Sequence, residues 1–205
     1  MMYLNERIDD LQRGGLRVIQ RADAFRFGTD AVLLADFAAP RRHDRVCDLG
    51  TGTGIIPLLL YARENTISAD AVEIQPDMAD MAARSMAMNG LNERIRVLPG
   101  DLRSIRTLLP HARYDLVTCN PPYGKAGGTL LNPDASKRLA RHEESCAIED
   151  VACAAAWLLQ NGGRLCCVFP AARMIELSDA MRKYRMAPKR IRMVHSRVEK
   201  AAHLC

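Results

Sequence analysis

The stretch Arg45-Val46-Cys47-Asp48-Leu49-Gly50-Thr51-Gly52-Thr53-Gly54 constrains this chain more than any other. A short apolar run passes directly into three alternating glycines, and a helical pattern follows from residue 53 to 63. Glycine lacks a Cβ, so the backbone can turn tightly and come close to a ligand. A strand feeding such a loop and then a helix opens a parallel α/β sheet. The rest of the chain repeats the alternation. Strands are expected at residues 69–74, 95–98, 114–119, 164–169 and 190–195. Helices are expected at residues 31–37, from Pro76 to the Asn89-Gly90 stop, at 148–160 ahead of Gly162-Gly163, and at 172–184. Ala201-Ala202-His203-Leu204-Cys205 reads as a seventh strand cut short. The expected fold is therefore a mostly parallel seven-stranded sheet flanked by helices. At 205 residues it suits a single domain, with a core at 45–205 and a segment at 1–44 before it.

Glu73 lies 23 residues beyond Gly50, at the end of the second strand. A carboxylate there can accept hydrogen bonds from both ribose hydroxyls of a nucleoside cofactor. Gly50, Thr51, Gly52 and Gly54 would form the cradle. A dinucleotide loop spaces its third glycine one residue later, so that a pyrophosphate sits on the helix N-terminus. Here Asp48 stands beside the loop and would repel a pyrophosphate. It suits a ligand carrying an ammonium and a sulfonium, which favours S-adenosylmethionine over a nicotinamide dinucleotide. Asp101, with Leu102 beside it at the end of the third strand, offers an acceptor to the adenine amino group; its other reading is a helix N-cap.

Asn120-Pro121-Pro122-Tyr123 falls at the carboxyl end of the fourth strand, where open parallel sheets bind ligands. The prolines have no N–H and hold their predecessors extended. The result is a stiff elbow that presents the Asn120 side-chain oxygen and the Pro121 carbonyl as paired acceptors. Two acceptors facing one spot fit an –NH2 group. An adenine amine is a poor nucleophile because its lone pair is delocalised into the ring. Accepting both hydrogens biases the nitrogen toward a tetrahedral, nucleophilic shape, and the same acceptors stabilise the charge that develops on it. Tyr123 adds a flat face for stacking a base. Positioning should supply most of the rate, with no strong base.

Composition narrows the class. Residues 161–205 hold ten of the 29 Lys and Arg against three acids, whereas the preceding 160 residues are nearly neutral. A basic end of this kind suggests a nucleic-acid backbone. No apolar run is long enough to span a membrane, and no signal peptide is expected. The seven cysteines form no Cys-x-x-Cys pair and read as buried thiols in a reducing cytoplasm, with no metal site.

The glycine loop together with Asn120-Pro121-Pro122-Tyr123 resembles the class I S-adenosylmethionine-dependent methyltransferases, Rossmann-like enzymes, that act on amino groups. Three further segments are similar to the bacterial tRNA (adenine-N6)-methyltransferases that modify the adenosine beside the anticodon of a valine tRNA. They are residues 25–34 (FRFGTDAVLL), 140–143 (ARHE) and 188–195 (PKRIRMVH). The resemblance implies that Phe27, Gly28 and Thr29 close over the cofactor, that Asn120 to Tyr123 carry catalysis, and that tRNA is the partner. It implies S-adenosylhomocysteine as the cofactor product. Arg141 and His142 would contact phosphate or cap the following helix. A monomer or weak dimer is expected. The alternatives are a glutamine-N5 methyltransferase of release factors, a DNA adenine-N6 enzyme or an rRNA guanine-N2 enzyme. The first normally carries a longer helical region before its glycine loop than the 45 residues seen here.

Overall fold

The computed structural model describes Tyr3 and residues 5–21, 28–122 and 147–205. Phe25, Phe27, Tyr123, the segment Gly124–Asn132, Arg141 and His142 lie outside the described residues. An antiparallel hairpin of β1 (Glu6–Asp10) and β2 (Arg17–Arg21) turns through Gly14 and Gly15, both at positive φ. Helix α1 (Thr29–Ala38) follows. Then come β3 (Arg45–Leu49), α2 (Ile55–Arg63), β4 (Ser68–Glu73), α3 (Pro76–Met88) and β5 (Ile95–Pro99). A 3-10 turn at Leu102–Ser104 leads into the short α4 (Ile105–Leu108) and then β6 (Tyr114–Cys119). The remainder is α5 (Ile148–Leu158), β7 (Leu159–Cys167), α6 (Met174–Lys183), β8 (Val194–His195) and β9 (Ala202–Leu204).

Five strands form one parallel sheet in the order β5-β4-β3-β6-β7. The chain works outward from β3 to β5 and then restarts on the other side of β3 with β6. The topological switch point, and hence the ligand crevice, lies between β3 and β6. Parallel strands covered by helices on both faces read as near-continuous apolar runs. Val46 and Leu116 pack into one core with α1, α2 and Met86 of α3. Cys47, Leu49, Val117 and Cys119 pack into the other, with α4, α5 and Ala180 of α6. The Rossmann-like α/β sandwich is as the sequence implied.

The local differences are informative. β8 and β9 pair with each other, tied to the body through a bridge between Pro170 and Leu204. The parallel sheet thus holds five strands where seven were expected: of residues 190–195 only Val194–His195 is strand, it pairs with β9 apart from the main sheet, and the N-terminal hairpin was unforeseen. Gly162-Gly163 does not stop a helix. α5 ends at Leu158 and β7 begins at once, the glycines lying inside the strand where its register against β6 shifts between Tyr114 and Leu116. A Cβ on Gly163 would stand 2.9 Å from the Gln160 carbonyl oxygen, so the bulge needs glycine there. The N-terminal hairpin is anchored on α3. The Ile19 N–H donates to Ser85 Oγ at 3.0 Å, and Asn89 bonds both backbone groups of Arg17. Arg84 of α3 grips both Glu6 oxygens at 2.6 and 2.7 Å.

Candidate active site

The glycine loop leaves β3 as a series of left-handed residues. Gly50, Gly52 and Gly54 have φ of 70°, 57° and 82°, conformations that glycine alone adopts at little cost. Their neighbours differ. Among the described residues, a Cβ on Gly50 would meet nothing within 4 Å, which leaves the loop open to a ligand at that point. A Cβ on Gly54 would lie 2.5 Å from Met86 Cε and 3.3 Å from Ala82 Cβ. Gly54 is therefore the close-packing glycine that lets α2 start against α3.

Glu73, 4% exposed, holds the loop from the next strand. Its Oε2 accepts the Gly52 N–H at 2.8 Å and its Oε1 accepts the Gln75 N–H at 2.9 Å. Each carboxylate oxygen has a second lone pair, so the group can fix the loop and still receive a sugar hydroxyl. Asp101, by contrast, caps the 3-10 turn: Oδ1 accepts the Arg103 N–H at 2.8 Å, and Oδ2 takes the Arg103 guanidinium at 2.6 and 2.8 Å. This is the N-cap reading of Asp101. Leu102 is half-buried against the α4–α5 core.

Asp48 is fully buried in the middle of β3. Its register partner on β6 is Thr118, whose hydroxyl donates to Asp48 Oδ1 at 2.6 Å. Among the described residues, Oδ2 has no partner, and neither has the buried Thr51 hydroxyl, which is near enough to lower the Asp48 pKa but outside hydrogen-bonding geometry. Burial pushes the Asp48 carboxyl up to about 7; the Thr118 hydroxyl opposes this and the Glu73 charge adds to it. Two orphaned buried polar atoms beside an open glycine loop are a costly arrangement for a free protein. They fit a cofactor with hydrogen-bond donors and positive charge.

A pKa above the ordinary carboxylate value means that Asp48 contributes stability at acid pH which is lost as pH rises through about 7. Asp48→Asn is expected to have near wild-type stability at pH 5 and to be the more stable protein at pH 8. Urea denaturation at both pH values reads this, and an equal difference at both would rule it out.

Across the switch point, the Leu49–Cys119 register places Gly50 and Asn120 at neighbouring strand ends. Pro121 is buried, Pro122 exposed and Asn120 half-buried. Asn120 Nδ2 donates to Asp30 Oδ2 of α1 at 3.0 Å. Gly28 and Thr29 stand at the start of the same helix. The structure thus gathers the glycine loop, Asp48, Glu73, Gly28, Thr29 and Asn120-Pro121-Pro122 around the carboxyl ends of β3, β4 and β6. Asp30 and Thr118 are the members that reading the sequence overlooked.

The family described as methyltransferase small domain matches residues 22–190, most of the chain. The chain belongs to that family. This methyltransferase is 34% identical over 183 residues to a Porphyromonas gingivalis tRNA1(Val) (adenine(37)-N6)-methyltransferase, covering 86% of the chain and 71% of that relative. A Tolumonas auensis protein of the same name is 38% identical over 148 residues, covering 72% of the chain and 60% of the relative. Among solved structures, TrmN from Thermus thermophilus superposes with a TM-score of 0.55 at 25% identity, covering 80% of this chain and 42% of that one.

The basic end of the methyltransferase is less positive than its composition suggests. Arg164 pairs with Asp44, Arg173 with Glu176, Lys183 with Glu149 and Arg192 with Asp36. Arg190 stacks on Phe37 at 4.5 Å and donates to its carbonyl. Arg182, Arg185, Lys189, Arg197 and Lys200 are exposed and make no ion pair among the described residues. Among the described residues, no helix is long and apolar enough to cross a membrane, and no group of three or more His, Cys, Asp or Glu is placed to hold a metal.

Proposed function

We propose that this methyltransferase transfers the methyl group of S-adenosylmethionine to the exocyclic N6 of an adenosine in tRNA. The observation that carries the reading is the placement of Asn120-Pro121-Pro122 beside the open glycine loop, across one switch point of a parallel sheet. The cofactor supplies an electrophilic methyl on a sulfonium. Gly50, Thr51 and Gly52 would cradle it, Glu73 would take its ribose hydroxyls, and Asp48 Oδ2 and the Thr51 hydroxyl, without partners among the described residues, would meet its polar, cationic end. Asn120 Oδ1 and the Pro121 carbonyl accept the two amine hydrogens. With the cofactor bound, the nitrogen lone pair would form the N–C bond as the C–S bond breaks, and the extra proton would leave to solvent. Residues 1–44 act as the cover of a single domain, with Phe27, Gly28 and Thr29 over the cofactor and Tyr123 stacking the base. The relatives' names supply the tRNA substrate, and the cytoplasm is where it is met.

Incubation with labelled S-adenosylmethionine and either tRNA, duplex DNA or a release factor tests the proposal. N6-methyladenosine is expected in digested tRNA alone; label only in DNA or protein would sink the reading. The five exposed cations that make no ion pair among the described residues support an RNA-backbone surface. If about three of them contact phosphate, affinity should fall on the order of 10–100-fold between 50 and 200 mM salt.

A further inference from the structure

The Asn120 amide has two branches, and only Oδ1 can accept a hydrogen bond. Transfer as proposed above needs that branch toward the amine. Steric shape does not choose, because a half-turn about Cβ–Cγ exchanges two branches of almost equal size. A carboxylate does choose, since it offers acceptors and attracts the nitrogen branch alone. Asp30 Oδ2 takes Asn120 Nδ2 at 3.0 Å. Asp30 is 9% exposed, and its Oδ1 accepts the Ala31 N–H at 2.9 Å. The carboxylate is therefore held by the first turn of α1 and is itself pre-oriented.

Gly28 is shaped around the same group. Its φ of −91° and ψ of 179° suit any residue, so the backbone does not demand glycine. Space does: a Cβ there would lie 2.6 Å from Asp30 Oδ1.

We infer that Asp30 is a positioning residue for methyl transfer, fixing the Asn120 amide with Oδ1 toward the target amine, and that Gly28 is glycine to leave room for that carboxylate. The inference rests on the amino-methyltransferase reading. It gives the start of α1 a part in the chemical step as well as in cofactor cover.

Asp30→Ala, Gly28→Ala and the double variant test it, with an unmodified valine-tRNA transcript as substrate. Each single change should lower kcat about 100-fold, the usual scale for a misplaced reacting group. In Asp30→Ala the KM for RNA and the Kd of S-adenosylhomocysteine should stay within about 3-fold. The double variant should be no slower than Asp30→Ala, because Gly28 acts through Asp30. Asp30→Asn should be faster than Asp30→Ala, since its Oδ1 still accepts from Asn120 while its amide also admits the flipped arrangement. An unchanged kcat in Asp30→Ala, additive losses in the double variant, or a loss of cofactor affinity in place of kcat would overturn the inference. If wild type makes no N6-methyladenosine, or Asn120→Ala still transfers, the functional reading fails instead.

Discussion

Asn120→Ala is expected to lower the rate of methyl transfer by about 1000-fold or more, the upper range for removing one preorganised partner of a developing charge. Cofactor affinity should stay within about 3-fold. The loss is large because Asn120 acts on the nitrogen only as that nitrogen changes shape. In the planar amine the lone pair is spread into the ring, and the acceptors gain most as the N–H bonds polarise. Stabilisation that grows toward the transition state raises kcat rather than tightening the ground state. The Pro121 carbonyl remains in the variant, but a single acceptor orients only one of the two hydrogens. The proposed cofactor cradle lies at the ends of β3 and β4, whereas Asn120 follows β6 on the other side of β3. Single-turnover transfer and equilibrium titration with S-adenosylhomocysteine separate the two quantities. A collapse of affinity with little change in saturated rate would place Asn120 in the cradle instead.

The glycine loop, Glu73 and the Asn120 elbow were legible in the sequence because each is local. A strand, its exit loop and the next helix share a few residues, and their glycines and prolines carry conformational meaning by themselves. The hairpin of β1 and β2 was not legible. Its first strand, Glu6-Arg7-Ile8-Asp9-Asp10, is mostly exposed and charged, so no apolar alternation marks it. What stabilises it is tertiary: Arg84 on Glu6, and Ser85 and Asn89 on β2. The Asp30–Asn120 bond joins residues 90 apart and leaves no periodic trace. Charge was misleading in the same way. Asp36 alone engages Arg63 and Arg192 from distant segments, so a count along the chain overstates the free positive surface. Asp101 shows the opposite limit. Its N-cap role was visible as one of two readings, and only the Arg103 contacts show which set of donors it already holds.

Glu73→Ala is expected to weaken cofactor binding about 100-fold, the scale of two lost hydrogen bonds to a charged acceptor. Saturated transfer should change little. The carboxylate works twice. It anchors Gly52 and Gln75 through their backbone N–H groups, so the loop is held in shape before a ligand arrives. In the proposed reading the same carboxylate also accepts from the ribose hydroxyls. Alanine removes both, leaving the Gly52 and Gln75 donors without this partner beside the crevice. Glu73→Gln keeps one acceptor oxygen and should fall between alanine and wild type, at about 10-fold weaker. The two variants have one effect in common. Glu73 helps to push Asp48 upward, so removing its charge should bring the Asp48 pKa down. The pH at which the free protein loses the Asp48 contribution to stability should then move down with it, by the linkage that ties a carboxyl pKa to folding. Calorimetric titration with S-adenosylhomocysteine and urea denaturation across pH 5–8 measure the two effects independently. Unchanged affinity in Glu73→Ala would remove Glu73 from the cofactor site. An unmoved stability profile would show that Asp48 is raised by burial alone.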